Sequence, residues 1–128
     1  AMGLCNLPLV PDLIAARKAV CDLYTELLIW IHLEAPEWVG GLVRNYAYYR
    51  VIFESEQKML TVRDALVANG ITPRRYFYPS LNKLPFLNVA ESCPVSEDIS
   101  LRVVCLPLHA ELPHEDVRRI VALINQNL

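Results

Sequence analysis

The sequence has 128 residues, a formal net charge of −2 and 54% hydrophobic residues. This length suits a single domain, and the slightly acidic charge argues against a nucleic-acid surface, which would normally be basic. The longest apolar run, at 27–31, is far shorter than the roughly 20 residues that a bilayer requires, and the first residues lack the basic region of a signal peptide, so we expect a cytoplasmic protein without a membrane partner.

Apolar residues at helical spacing predict a first helix over 12–33. The residues before it are apolar and carry no cap, which suggests that the sequence starts inside an element of a longer protein. The turn-rich segment 35–41, with its proline and paired glycines, follows the helix. We therefore expect one domain in which a long helix and linker, 1–41, precede an α/β core, 42–128.

Strands and helices alternate in the predicted core. The predicted strands lie at 45–53, 71–77 and 103–107, and the predicted helices at 55–69, 96–101 and 114–126. Because a helix connects the first two strands, we expect them to be parallel, with the third strand between them and antiparallel. The predicted fold is α+β, a small three-stranded sheet with helices packed on one face.

The segment RRYFYPSLNKLP, at 74–85, carries the side chains best suited to hold a ligand. A guanidinium fork suits phosphate or carboxylate, tyrosines supply flat surface with hydroxyl groups, and an asparagine amide both donates and accepts. In a strand, Arg74, Tyr76 and Tyr78 would share one side. The alternative is a strand end with solvated arginines and tyrosines packed on a helix. The candidate binding residues are Arg74, Tyr76, Tyr78 and Asn82.

An independent active site is not predicted, because the sequence contains no Gly-rich phosphate loop, H-E-x-x-H or G-x-S-x-G motif. A Schiff-base lysine needs a pocket that lowers its pKa, and nothing around Lys18, Lys58 or Lys83 builds one. The four cysteines lack C-x-x-C spacing and the three histidines lack zinc-ligand spacing, so we expect reduced thiols and no metal site.

Five segments, in order, resemble landmarks of one known family. They are AMGL at 1–4, AARKAVCDLYTELL at 15–28, NYAYYRVIF at 45–53, LVANGITPRRYFYPSLNKLPF at 66–86 and VVCLPLHAELPHEDVRRIVALI at 103–124. The chain thereby resembles the C-terminal part of the DegT/DnrJ/EryC1/StrS sugar aminotransferases, which use pyridoxal phosphate. The resemblance runs nearly from end to end.

This resemblance implies the small domain of a fold-type I aminotransferase that moves an amino group from glutamate onto a nucleotide-linked keto-deoxy sugar, in deoxysugar biosynthesis. In the full-length parent it implies pyridoxal 5′-phosphate, an N-terminal large domain that holds this cofactor, and a homodimer with the active site at its interface. We expect these 128 residues alone neither to bind the cofactor nor to transaminate. Arg74, Tyr76, Tyr78 and Asn82 would then face the sugar-nucleotide end of the site.

One position departs from the family pattern. Asn82 stands where many members have histidine, and the version ending in S-L-N resembles the branch that acts on deoxythymidine-diphosphate-linked amino sugars. Both side chains form hydrogen bonds, but asparagine does not exchange a proton near neutral pH, which puts an acid–base role at this position in doubt. The alternative function is a free-standing, non-catalytic α/β domain that binds a metabolite or a partner protein.

Overall fold

The computed structural model describes residues 2–35, 40–87 and 91–128. The helices are α1 Met2–Asn6, α2 Val10–Leu27, α3 Glu56–Ala68, α4 Pro94–Arg102 and α5 His114–Gln126, and the strands are β1 Leu33–Glu34, β2 Tyr49–Phe53 and β3 Val103–Leu106. Short 3-10 helices lie at Leu7–Leu9, Trp30–His32 and Leu81–Lys83. Within these described residues, no helix combines the length and apolarity needed to cross a membrane. The predicted linker lies partly outside them, at 36–39.

The predicted α+β fold with a small three-stranded sheet is confirmed. The strands follow the order β1–β2–β3 and both pairs are antiparallel, with Leu33 opposite Phe53 and Tyr49 opposite Leu106. All four residues of β3 are buried, so both faces of this strand are covered. The helix predicted at 96–101 is present as α4.

The strand predicted at 71–77 is wrong. Arg74 alone forms a bridge to β3, through two backbone hydrogen bonds with Cys105 of 2.9 and 2.8 Å. In antiparallel register the next hydrogen-bonded pair would join Thr72 to Pro107, and proline has no N–H to donate. On the other side the chain turns at Tyr76. The segment therefore lies beside β3, as predicted, without becoming a strand.

The helix predicted at 12–33 is too long at its C-terminal end, because α2 ends at Leu27 and Leu33 already belongs to β1. Asn125 of α5 accounts for this end. Its Nδ2 donates to the Leu27 carbonyl (3.1 Å), and its Oδ1 accepts from the backbone N–H of Ile29 (3.2 Å). A helix-terminal carbonyl needs such a partner, and here the partner comes from the last helix.

The strand predicted at 45–53 starts later than expected, at Tyr49. Tyr46 adopts a positive φ of 49°, a left-handed conformation that interrupts an extended chain and that is uncommon outside glycine. The Asn45 side chain accepts a hydrogen bond from the Ala47 N–H (3.1 Å), and this contact stabilises the local bend. The entry to β2 is therefore a shaped turn and not a strand.

One hydrophobic core joins α2, α3 and α5 to the sheet. Burial of apolar surface is the main force that holds such a domain together. The members of this core come from α2, the three strands, α3 and α5, among them Val20, Tyr24, Phe53, Met59, Leu66, Val104 and Ile124. Helix α2 therefore contributes to the same core as the sheet that follows it.

Tyr24 makes a buried polar contact inside this core. Its hydroxyl donates to the carbonyl of Pro107 (3.0 Å), and its ring stacks on Tyr49 at 4.9 Å. Burial raises the pKa of the Tyr24 phenol well above its usual range, so the group stays a neutral donor.

The substitution Tyr24→Phe is expected to lower the free energy of unfolding by about 1–2 kcal/mol, because it leaves the Pro107 carbonyl without this donor. Urea titration followed by circular dichroism measures the effect. Tyr48→Phe removes the same hydroxyl from an exposed tyrosine and should change stability little. Equal stability of the two variants would contradict the role of the buried contact.

Candidate functional site

A cleft of about 390 Å³ opens beside the Arg74 bridge, within the size range of small-molecule sites. Three parts of the chain form it: the turn before β2, the segment after α3, and the loop that follows β3. Its walls comprise Ala47, Tyr48, Thr72, Arg74, Tyr76 and residues 105–109. The cleft therefore lies where the sheet edge meets its loops.

Arg74 and Tyr76 form the polar and aromatic wall of this cleft. The Arg74 backbone is held by its bridge to β3, and its Nη1 donates to the Tyr76 hydroxyl (2.8 Å). The Tyr76 ring meets Tyr48 edge-on at 5.8 Å between centroids. A guanidinium beside two phenols offers charge-assisted donors together with flat apolar surface. This arrangement suits an anionic ligand that carries a ring.

Two of the four predicted site residues, Tyr78 and Asn82, do not line this cleft. The guanidinium carbon of Arg75 lies 3.5 Å from the centroid of the Tyr78 ring, which is a close cation–π contact. Asn82 lies further along, in the 3-10 turn at Leu81–Lys83. The expectation that Arg74, Tyr76 and Tyr78 share one side required a strand, and the segment is not one.

The Asn82 side chain is engaged within the protein. Its Nδ2 donates to Glu97 Oε1 (2.7 Å) and to the Glu91 carbonyl (3.2 Å), and its Oδ1 accepts from the Ser80 hydroxyl (2.7 Å). Glu97 also accepts from the backbone N–H of Cys93 (2.9 Å). This backbone hydrogen bond, followed by those from Asn82 and Lys83, lowers the pKa of Glu97 to about 2.

Tyr48 and His109 line the cleft but were not among the predicted site residues. Tyr48 is one of several tyrosines in the aromatic run at 45–53, and nothing local distinguishes it from Tyr46 or Tyr49. His109 follows β3 in a polar loop that the sequence marks only as a connection. Their positions in the cleft depend on which segments of the chain the tertiary structure brings together.

The lysines do not provide a pyridoxal phosphate site. Lys18 pairs with Asp22 at 2.6 Å, and this hydrogen bond raises the pKa of the Lys18 ammonium, so it stays charged. Lys83 pairs with Glu97 at 3.1 Å, and Lys58 lies in the first turn of α3. A Schiff-base lysine must be held neutral beside its cofactor. Among the described residues, no group of three or more His, Cys, Asp and Glu side chains could hold a metal ion.

These features define a small α+β domain that contains a polar cleft, with lysines that do not fit a cofactor site. The family model of the DegT/DnrJ/EryC1/StrS aminotransferases matches residues 1–125. The chain belongs to this family. The predicted family resemblance is thereby confirmed.

Known relatives agree with this assignment. A dTDP-4-amino-4,6-dideoxy-D-glucose transaminase from Shigella dysenteriae is 35% identical over 94 residues, which are 68% of this chain and 25% of that enzyme. The aminotransferase TlmJ from Streptoalloteichus hindustanus superposes with a TM-score of 0.89 at 21% identity, over 98% of this chain and 34% of that one. A sugar aminotransferase from Streptococcus pneumoniae, in its PLP-form, superposes with a TM-score of 0.84 at 22% identity, over 98% of this chain and 33% of that one. The chain thus spans about a quarter to a third of these proteins.

Proposed function

We propose that this chain is the C-terminal small domain of a pyridoxal-phosphate-dependent aminotransferase, which transfers an amino group from glutamate to a nucleotide-linked keto-deoxy sugar. Family membership supports the reaction class, and the Shigella transaminase supports a sugar carried on a nucleoside diphosphate. The cofactor supplies the electronic chemistry of transamination when it is bound. Since the lysines of this chain do not fit it, its binding residues belong to the rest of the protein.

The cleft at Arg74 is the observation that carries the substrate side of this proposal. A guanidinium is the side chain best matched to a diphosphate, and the rings of Tyr76 and Tyr48 offer faces for a base or sugar. Tyr78 and Asn82 belong to the same connected segment and would act on the same end of the substrate. We assign this chain the task of binding and orienting the nucleotide sugar.

Exposed apolar side chains on α1 and the 3-10 turn after it are proposed to pack against the large domain of the same protein. Met2, Leu4 and Leu7 are 80%, 77% and 64% exposed, and no residue of α1 is buried. An apolar patch of this kind marks an interaction surface. We further propose a cytoplasmic homodimer whose active site lies at the interface, as the family resemblance implies.

In the complete protein that contains this chain, Arg74→Ala is expected to raise KM for the nucleotide sugar about tenfold, or roughly 1.4 kcal/mol, by removing the phosphate contact. The half-reaction with glutamate should keep its rate, because it does not use the sugar-nucleotide side. Tyr78→Phe and Asn82→Ala should shift KM in the same direction. Steady-state and single-turnover kinetics with a dTDP-linked keto sugar measure both halves.

The matched control is Arg63→Ala, which removes an arginine that pairs with its neighbour Asp64 on α3 and lies outside the cleft lining. Its KM should equal that of the wild type. An equal loss in both half-reactions for Arg74→Ala would contradict a role on the sugar side, as would an unchanged KM.

A further inference from the structure

The segment 75–83, called here the 75–83 loop, is attached to α4 near both ends of that helix. At the C-terminal end, Arg75 Nη2 donates to the carbonyl of Leu101 (2.9 Å) and contacts Glu56 of α3. At the N-terminal end, Asn82 donates to Glu97 (2.7 Å). Helix α4 therefore supports a loop that has little regular structure of its own.

A hydrogen bond between the buried Ser80 hydroxyl and that of Ser96 strengthens the N-terminal attachment. Ser80 is 3% exposed, and its hydroxyl lies 2.7 Å from that of Ser96 on α4. Because the Ser80 proton points to Asn82 Oδ1 (2.7 Å), Ser96 is the donor of this pair. The chain of hydrogen bonds runs from α4 through Ser80 to Asn82 and returns to α4 at Glu97.

Glu97 is the point where this network converges. One carboxylate accepts from the Cys93 N–H (2.9 Å), the Ser92 hydroxyl (3.3 Å) and Asn82 (2.7 Å), and pairs with Lys83 (3.1 Å). Such a set of donors keeps the group ionised at neutral pH, in agreement with its lowered pKa. Two of these partners, Asn82 and Lys83, belong to the loop.

The Asn82 amide has no free N–H left for a ligand. Its two N–H groups go to Glu97 and to the Glu91 carbonyl, and Ser80 occupies one lone pair of its oxygen. The side chain therefore shapes the loop, and its effect on substrate passes through the backbone that carries Tyr76 and Tyr78. A loop that populates its binding conformation only in part weakens apparent affinity by that fraction.

We propose that Glu97 is a positioning residue for nucleotide-sugar binding: it anchors Asn82 and Lys83 to α4 and so holds the 75–83 loop in its binding conformation. The inference rests on the proposed function, because it assigns the loop to the sugar-nucleotide side. Glu97 itself touches no lining residue of the cleft among the hydrogen bonds of the described chain. Its action is indirect.

The test uses two variants of Glu97 in the complete protein. Glu97→Ala removes every acceptor, whereas Glu97→Gln keeps one oxygen and loses the ion pair. Amide hydrogen exchange in the 75–83 loop should accelerate about tenfold in Glu97→Ala and less in Glu97→Gln. KM for a dTDP-linked keto sugar should rise by up to about tenfold in Glu97→Ala and by less in Glu97→Gln. The rate of the glutamate half-reaction should stay unchanged in both variants.

Asp98→Asn is the matched control, because Asp98 is the next carboxylate on α4 and pairs with Arg102, away from the loop. It should leave loop exchange and KM as in the wild type. In a background that carries both Asn82→Ala and Lys83→Ala, Glu97→Ala should add little to KM, since both links through which Glu97 acts are already missing. Full additivity would overturn the proposal.

The Arg74→Ala result separates the two ideas. If Arg74→Ala leaves KM unchanged, the proposed function fails, whatever Glu97 does. If Arg74→Ala raises KM while the Glu97 variants keep wild-type KM, the positioning role is wrong and the proposed function stands. Faster loop exchange with an unchanged KM also overturns the inference, because it would show that Glu97 orders the loop without serving binding.

Discussion

Replacing Phe53 with alanine is expected to lower the free energy of unfolding by about 3–5 kcal/mol. Phe53 is 0% exposed, lies at the end of β2 and pairs with Leu33 of β1. Its removal loses the apolar burial of a ring and leaves a cavity that the surrounding core fills only in part. Since single domains are stable by roughly 5–15 kcal/mol, this loss is a large share of the total. Urea titration of this chain, followed by circular dichroism, measures it.

Phe86→Ala is the matched control for this prediction. It makes the same chemical change at a phenylalanine that is 75% exposed, and it should alter the free energy of unfolding by less than about 0.5 kcal/mol. Similar losses in the two variants would contradict the description of Phe53 as a core residue.

Arg102→Ala is expected to lower the free energy of unfolding by about 2–3 kcal/mol. The Arg102 side chain is 16% exposed, pairs with Glu34 and Asp98, and donates through Nη1 to the carbonyl of Phe53 (2.9 Å). It therefore ties β1, β2 and α4 together. The carboxylates are 62% and 57% exposed, so water replaces their ion pairs at little cost. The unpaired carbonyl accounts for most of the loss.

Single variants of the two acidic partners test this division. Glu34→Ala and Asp98→Ala should each cost less than about 1 kcal/mol, the usual range for exposed ion pairs. If their summed effects equalled that of Arg102→Ala, the ion pairs and not the Phe53 carbonyl would carry the stability. Chemical denaturation of all three variants at the same salt concentration provides the comparison.

The cleft shows how far sequence reasoning reaches toward a site. Arg74 and Tyr76 were predicted to share a surface, and their side chains do form a hydrogen bond. The backbone around them is not a strand, however, because only Arg74 pairs with β3. Asn82 was predicted as a ligand contact, and its amide proved to be engaged with α4. Residue chemistry pointed to a segment that lines the cleft at Arg74 and Tyr76, while the direction of each side chain depended on the path of the backbone.

Elements whose signals lie within a few residues were determined by the sequence itself. Ser55 caps α3 by accepting from the Lys58 N–H (3.3 Å). The acidic side chains in the first turn of α5 interact favourably with the positive end of the helix dipole. Both helices match their predictions closely. The C-terminal end of α2 and the failed strand at 71–77 depend instead on Asn125 and Pro107. Those partners are distant in sequence. Only the tertiary structure therefore decides whether the helix-terminal carbonyl of α2 receives a donor, and whether the segment at 71–77 meets a backbone N–H that would continue its pairing with β3.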